Sequence, residues 1–221
     1  MRFGDMVNGG ADMFNGNAGG AGNTDSGEVI SLSKGEAISL TKVAPGLKTA
    51  MIGLGWDPLN EGMEGAPFDL DASCFLLDAN ERAHGIQDFV FYGNLSGVNQ
   101  SVVHQGDNLT GGGDGDDEQI IIDFTKVPDS VAKIAVAITI YDYDKRRQNF
   151  GMVHNSFVRV VDTATDKEII RYNLGEDFSA ETAIIACEFY KYNGEWKMRA
   201  RGQGYAGGLK ALGQSYGLNV Q

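Results

Sequence analysis

The chain has 221 residues, of which 42% are hydrophobic, and a formal net charge of −12 at pH 7. This composition supports one buried core and does not require a second domain. The negative charge argues against binding to a nucleic-acid backbone, and no stretch approaches the roughly eighteen apolar residues of a membrane span.

Residues 1–27 are rich in glycine, asparagine and aspartate and contain no continuous apolar segment. They do not have the pattern of a secretory signal, and their few apolar groups do not offset the entropy of ordering the segment. We therefore predict a flexible extension over residues 1–27 and one folded domain over residues 28–221. A cytoplasmic location follows by default.

From Glu28 onward the hydrophobic pattern has mostly a period of two, which is typical of half-buried β-strands. The strand-like segments are rich in β-branched and aromatic residues and are bounded by Gly, Asn, Asp or Pro. They are residues 29–34, 38–40, 51–56, 69–77, 88–92, 119–124, 134–141, 157–161, 184–190 and 196–201. Many short strands separated by turns favour a mainly-β fold of antiparallel strands, either a sandwich or a barrel.

The C-terminal part of the chain predicts one short helix. Leu209, Leu212 and Tyr216 have helical spacing, which indicates an amphipathic helix packed on a sheet. We interpret the glycine-rich residues 202–208 before it as a flexible junction after the last strand.

Cys74 and Cys187 each lie in an apolar alternating stretch. We expect both to be small buried thiols, since nothing in the sequence indicates a disulfide.

The segment from Asp107 to Glu118 is the most informative part of the chain and reads Asp-Asn-Leu-Thr-Gly-Gly-Gly-Asp-Gly-Asp-Asp-Glu. Its five carboxylates repel one another in a compact fold unless a positive charge lies among them. The interleaved glycines allow positive φ and let carbonyl oxygens turn inward. Because Ca²⁺ accepts roughly six to eight oxygen ligands in irregular geometry, we predict a divalent-cation site here. A solvated acidic loop is the alternative.

An EF-hand loop is excluded for this segment. Gly112 and Glu118 would occupy its sixth and twelfth positions, but Leu109 and Gly111 at the third and fifth offer no side-chain oxygen. The flanking segments are also strand-like rather than helical. The loop must therefore recruit ligands from elsewhere in the chain.

A second acidic segment contains Asp69 and Asp71, which are two residues apart on a predicted strand. Their side chains point the same way about 7 Å apart, an unfavourable arrangement on a dry sheet face that a bridging cation would relieve. Solvation at a sheet end, or hydrogen bonding to a turn, is the alternative. Asp57 is a weaker candidate, because an Asp before a proline often serves only a turn.

No catalytic constellation stands out. The chain has no nucleophile elbow, Walker loop or dinucleotide glycine signature, and its three histidines lack the spacing of a zinc site. We interpret His104 as a strand-end histidine, with a role behind the metal ligands as the alternative. The basic residues 145–147 are interpreted as a hairpin tip, with phosphate or lipid contact as the alternative. We therefore expect a protein that is not an enzyme; a metal-dependent hydrolase using His104 as base is the weakest hypothesis.

Taken together, these segments resemble the TerD family, the tellurium-resistance and general stress proteins of bacteria. The matching segments occur in family order from about Val29 to the C-terminus, which makes the resemblance highly specific. They are residues 32–36, 40–42, 53–57 (Gly-Leu-Gly-Trp-Asp), 68–73 (Phe-Asp-Leu-Asp-Ala-Ser), 106–118, 127–128, 138–142 (Ile-Thr-Ile-Tyr-Asp), 150–151 and 194–209.

The resemblance implies a β-sandwich that binds two Ca²⁺ ions close together in a cytoplasmic protein of stress responses, without established enzymatic activity. Carried onto this chain, it implies as ligands Asp69, Asp71, Asp107, Asn108, Asp114, Gly115, Asp116, Asp117 and Glu118. The expected partner is an unidentified protein of a resistance complex, in solution or at a membrane. No nucleic acid or small-molecule substrate is indicated. The alternative function is Ca²⁺-dependent docking on a membrane surface or a partner protein.

This chain departs from the family pattern in two places. Family members often carry an acidic residue where this chain has Gly112, so one of the two sites is expected to be weaker. The segment before Glu28 is an addition to the family core, and we interpret it as either a tether or an attachment element.

Overall fold

The computed structural model describes residues 28–59, 65–106, 108–109, 115–175 and 178–220. Over these ranges the chain forms two six-stranded sheets, which confirms the predicted β-sandwich. The strands are β1 (Ile30–Ser31), β2 (Ala37–Ser39), β3 (Thr49–Gly55), β4 (Leu70–Leu77), β5 (Phe89–Val90), β6 (Val102–His104), β7 (Glu118–Asp123), β8 (Lys133–Ile140), β9 (Phe157–Asp162), β10 (Lys167–Asn173), β11 (Ala183–Tyr192) and β12 (Glu195–Tyr205).

The helices are short. They are α1 (Leu40–Val43), α2 (Tyr143–Arg146) and α3 (Gly208–Ser215), with single 3₁₀ turns at Ile86–Asp88, Val98–Gln100 and Phe150–Met152. The helix α3 confirms the predicted C-terminal helix. None of the helices in the described part of the chain is long and apolar enough to span a membrane.

The first sheet has the strand order β1-β10-β9-β3-β7-β6, and the second has the order β2-β12-β11-β8-β4-β5. Neighbouring strands are antiparallel, except that β1 and β10 run parallel. Alternate side chains of the two sheets, among them Ile52 and Val160 of the first and Leu76 and Val136 of the second, form one shared buried core. The period-two pattern of the sequence therefore places one face of each sheet in the interior.

The outer face of the second sheet is also covered. Leu212 and Tyr216, in and just after α3, pack on Phe75 of β4 and Ile185 of β11 in a second apolar cluster. All eight residues of β4 are buried, since this second cluster, which also contains Phe89 of β5, lies on one face of the strand and the shared core lies on the other. Asp71 lies on the α3 side of β4, since it alternates with the core residues Leu70 and Ala72.

Two local interpretations were wrong. The residues 145–147 do not form a hairpin tip, because α2 turns the chain so that Arg146 reaches Asp69. The segment 202–208 is not simply a junction: β12 continues to Tyr205, which pairs with Ala183. Gly202 has φ +52°, and a Cβ there would lie 2.2 Å from the hydroxyl oxygen of Tyr172, so glycine is required inside the strand.

Two strands, β6 and β10, were not predicted. Strand β6 has only three residues, and several of the seven residues of β10 are charged or polar. Their weak hydrophobic alternation explains why the pattern did not identify them. Residues 1–27, predicted to be a flexible extension, lie outside the described residues.

Candidate metal site

The predicted site lies at one end of the sandwich because the strand order brings the acidic segments there. The last residues of β3 pair with the first of β7, with Leu54 opposite Glu118. In the second sheet, the start of β4 pairs with the end of β8, with Leu70 opposite Ile140. The connection from β6 to β7 contains the acidic loop, so the loop and the start of β4 share this end.

Glu118 joins the two sheets at this end. Its carboxylate is fully buried. The oxygen Oε2 accepts a hydrogen bond from the backbone N–H of Ala72 at 2.5 Å, and Oε1 accepts one from the N–H of Asn108 at 3.4 Å. The ring nitrogen Nε2 of His104 lies 3.6 Å from Oε2, and Nδ1 accepts from the N–H of Gly106. Glu118 therefore ties the base of the acidic loop to the strand that carries Asp71.

Asp117 closes the loop against β3. Its Oδ2 accepts a hydrogen bond from the N–H of Trp56 at 3.0 Å, and its Oδ1 accepts one from Nδ2 of Asn108 at 3.2 Å. Burial raises the pKa of the Asp117 carboxyl, and the nearby charges of Asp116 and Asp57 add to this, while the Trp56 hydrogen bond opposes it. A cation at this position would remove the cost of keeping Asp117 ionised.

Asp116 lies on the outer face of the first sheet. Its two carboxylate oxygens accept hydrogen bonds from Nε and Nη2 of Arg159 at 2.7 and 2.9 Å. The carboxylate rests directly over Gly53, where a Cβ would lie 2.3 Å from it. These hydrogen bonds raise the pKa of the Arg159 guanidinium above its ordinary value. The structure thus gives Asp116 a bidentate ion pair on the face opposite to the one that carries Asp71.

Asp69 and Asp71 line a cleft of about 340 Å³ together with Tyr92, Leu109, Tyr141 and Arg146. Both aspartates are almost completely buried. Leu109 belongs to the acidic loop, so the loop reaches the cleft that holds the Asp-Leu-Asp segment. The structure therefore brings together the two acidic segments that the sequence singled out.

Three predicted ligands remain, namely Asp107, Asp114 and Gly115. Asp107 and Asp114 lie outside the described residues. The carbonyl oxygen of Gly115 faces Gly55 at the end of β3, where an added Cβ would lie 3.2 Å from it. Asp57, the weaker candidate, accepts a hydrogen bond from Asn155 at 2.6 Å and contributes its negative charge to the environment of Asp117.

Within the described ranges, no three His, Cys, Asp or Glu side chains group in a way that could hold a metal ion. The described donors are nevertheless carboxylate and amide oxygens, most of them buried at one end of the fold. Such hard donors suit Ca²⁺ and not a thiolate-preferring metal. The donor set therefore fits Ca²⁺ chemically, and the assignment of individual ligands stays a prediction.

Four side chains of this region were not assigned to it from the sequence: Arg146, Arg159, Tyr92 and Tyr141. Arg146 belongs to a basic group that was noticed but placed elsewhere. Arg159 is an ordinary outward residue of a strand, and 43 residues separate it from Asp116. A charged residue inside an otherwise apolar strand such as β9 is the signal that could have indicated a partner on that face.

The chain is similar to bacterial stress and resistance proteins along most of its length. The TerD domain family model matches residues 29–216. The uncharacterised protein YceE and general stress protein 16U, both of Bacillus subtilis, are 56% and 54% identical, each covering 86% of this chain and at least 98% of the relative. The tellurium resistance protein TerD of Serratia marcescens is 50% identical over 86% of this chain and 98% of its own length.

The fold also matches a solved structure. The crystal structure of a homologue of telluride resistance protein (TerD) from Streptomyces coelicolor superimposes with a TM-score of 0.62 at 22% identity. The superposition covers 76% of this chain and 95% of that one. At this identity the match supports the β-sandwich fold and carries no argument about the site.

Proposed function

The chain belongs to the TerD domain family, and on that premise we propose that it is a non-catalytic Ca²⁺-binding module of a stress- and tellurite-resistance system. Two Ca²⁺ ions are proposed at the end of the sandwich where the acidic segments lie. The observation that carries the proposal is the cleft in which Leu109 of the acidic loop lies beside Asp69 and Asp71. It supports one shared site built from two segments that are distant in sequence.

The proposed ligands in the described residues are carboxylates and one amide. Asp69, Asp71 and Asp117 would supply carboxylate oxygens and Asn108 an amide oxygen, with Asp107 and Asp114 completing the set. Ca²⁺ supplies positive charge among groups that otherwise repel one another. Glu118 and Asp116 were predicted as ligands too. Glu118 would have to share its carboxylate with the N–H groups of Ala72 and Asn108, and Asp116 would have to share its carboxylate with Arg159.

Calorimetric titration of chelator-stripped protein with Ca²⁺, repeated with Mg²⁺, tests the proposal. We expect two Ca²⁺ per chain, the second bound more weakly because Gly112 replaces an acidic residue, and a clear preference over Mg²⁺. Ca²⁺ should also raise the melting temperature, since the unfolded chain lacks the site. Asp71→Asn should weaken binding. The matched control is Asp129→Asn, at a fully exposed aspartate whose recorded partner is Lys191. No heat of binding together with an unchanged melting temperature at millimolar Ca²⁺ would refute the proposal.

The role in tellurite resistance is proposed to be indirect, in a cytoplasmic protein without catalytic activity. Cys74 and Cys187 are free and buried, as predicted. Burial raises the pKa of both thiols well above the ordinary range, which disfavours the reactive thiolate. Neither thiol is therefore suited to direct chemistry on a metalloid oxyanion, and an unidentified protein of the resistance complex is the proposed partner.

Ca²⁺-dependent docking is the second candidate function, and one observation favours it. The exposed side chains of Leu109, Tyr141 and Tyr92 lie at the rim of the acidic cleft. Such apolar groups beside an ion site suit a partner protein, whereas the net charge of −12 opposes an anionic membrane. Lys145 and Arg146 already hold carboxylates, which also weakens the lipid hypothesis.

Sedimentation with anionic vesicles, in Ca²⁺ and again in EGTA, separates the two docking hypotheses. Pelleting that EGTA reverses would favour the membrane, and its absence would leave a partner protein. Tyr141→Ser should reduce any Ca²⁺-dependent pelleting. Tyr192→Ser, at an exposed tyrosine beside the β11–β12 turn at the other end of the sandwich, is the control. Equal effects of the two changes would exclude this cleft as the docking surface.

A further inference from the structure

The guanidinium of Arg146 lies in the cleft formed by Asp69 and Asp71. Its Nη2 donates a hydrogen bond to Oδ2 of Asp69 at 3.0 Å, and its Nη1 donates one to the carbonyl of Pro67 at 3.2 Å. It also lies over the ring of Tyr141, 5.3 Å from the centroid. A positive charge of the chain itself thus already occupies one of the proposed ligand carboxylates.

Burial explains why this contact matters. The side chain of Asp69 is only 4% exposed and that of Arg146 is 24% exposed. An ionised carboxylate at this depth is strongly unfavourable unless a positive charge compensates it. The guanidinium provides that charge, and the aromatic face of Tyr141 stabilises it further.

The local backbone holds Arg146 in place. The residues that flank α2, Asp142 and Arg147, both adopt left-handed backbone conformations, and the N–H of Arg146 donates to the carbonyl of Asp142. This single helical turn follows directly after β8, whose last residues pair with the start of β4. The backbone of α2 therefore places Arg146 close to Asp69.

We propose that Arg146 is an internal counter-ion that neutralises Asp69 in the ion-free protein and competes with Ca²⁺ for that carboxylate. The inference rests on the proposed function, because it concerns the same site. Two cations that share one carboxylate lie a few ångströms apart and repel each other. Arg146 thus stabilises the ion-free fold and lowers the affinity of the site, so that it acts as a positioning and affinity-setting residue.

The alternative role of Arg146 is purely structural, as an anchor of the α2 turn through Pro67 and Tyr141. That role predicts that its removal disturbs the cleft and weakens Ca²⁺ binding. Competition predicts the opposite sign for affinity. The two roles therefore differ in the direction of one measured constant.

The test compares Arg146→Gln with Lys145→Gln. Both changes remove one positive charge from the same turn, but Lys145 is 78% exposed and pairs with Asp142. Calorimetric titration should show Ca²⁺ binding about tenfold tighter in Arg146→Gln than in the wild type, as expected for removing a unit charge a few ångströms from the ion. The screened, exposed Lys145→Gln should stay within about twofold of the wild type. Arg146→Lys, which keeps the charge, should return the affinity toward the wild-type value.

Thermal melting in chelator provides a second readout that does not depend on bound Ca²⁺. Arg146→Gln should melt at a lower temperature than Lys145→Gln, because Asp69 loses its counter-ion. Saturating Ca²⁺ should reduce or abolish the difference.

The outcomes separate the inference from the function on which it rests. If the wild type and all variants fail to bind Ca²⁺, the proposed function is wrong and this inference falls with it. If the wild type binds Ca²⁺ but Arg146→Gln binds equally or more weakly, only the competition is refuted. If Arg146→Gln binds more tightly and Arg146→Lys does not, the competition is supported.

Discussion

The ion pair between Arg159 and Asp116 gives the sharpest stability prediction. Arg159→Met keeps most of the volume of the aliphatic stem but removes the guanidinium from a carboxylate with no exposed surface. Asp116 would then retain Nε2 of Gln119, at 3.3 Å, as its remaining side-chain donor among the described contacts. The carboxylate lies directly over the backbone of Gly53 and has no exposed surface, so water does not compensate its charge in the folded conformation.

The magnitude follows from the burial of the two groups. Removing one partner of a buried ion pair costs about 3–5 kcal/mol, because the other charge is left uncompensated. Arg159 is 27% exposed and the Gln119 amide remains, so we expect the lower value of about 2–3 kcal/mol. For a chain of this length, about 1 kcal/mol corresponds to roughly 2–4 °C. The expected decrease in melting temperature is therefore about 4–12 °C.

Urea denaturation and thermal melting of ion-free protein measure this loss. Arg199→Met is the matched control: Arg199 is also on a sheet face and lies over the ring of Tyr190, and its removal should cost less than about 1 kcal/mol. Arg159→Met combined with Asp116→Asn should be more stable than Arg159→Met alone, because no buried charge is left unpaired. Equal losses in Arg159→Met and Arg199→Met, or no recovery in the double variant, would refute the reasoning.

Three further predictions concern other buried or paired groups. Glu118→Gln should lower the free energy of unfolding by about 1–3 kcal/mol, in chelator as well as in Ca²⁺, because an amide NH₂ would face backbone N–H donors. A loss of stability seen only in Ca²⁺ would mean that Glu118 acts through the ion alone. Cys74 and Cys187 should resist a thiol reagent in native protein and react after unfolding in urea, and rapid native labelling would contradict their burial. The hydrogen bond from Lys133 lowers the pKa of Glu81, so its stabilising effect is present above about pH 4.5 and is lost as the pH falls below that value. The melting temperature of Glu81→Gln should therefore fall less between pH 6 and about pH 3.5 than that of the wild type. The difference should be small because Glu81 is largely exposed, and identical pH profiles would exclude the effect.

The ion pairs of the site also affect how the predicted ligands are ranked. Asp69 and Asp71 lie in the cleft that the acidic loop reaches, whereas Asp116 lies on the opposite face with Arg159. Ca²⁺ binding that survives Asp116→Asn with unchanged stoichiometry would assign Asp116 to the scaffold. The Arg159 prediction is independent of this question, because it is measured without the ion.

Much of the fold was predictable because the relevant signals are local. The almost continuous apolar run of β8 reflects a strand that is buried on both faces, and this signal is present in the strand's own sequence. Weak strands were missed: β6 is three residues long and becomes a strand only because β7 lies beside it. The glycine-rich end of β12 was missed for the same reason, since its pairing with β11 overrides the low strand propensity of glycine.

The hydrophobic period and the ligand chemistry of short segments were enough to predict a mainly-β fold, two buried thiols and two acidic segments. Which cation neutralises which carboxylate depends instead on how the strands are arranged in space. Arg146 and Asp69 are 77 residues apart and Arg159 and Asp116 are 43 apart, so neither pair has a local signal. The choice depends on strand order and on the face that each side chain occupies, and the same geometry decides which carboxylates remain for an ion.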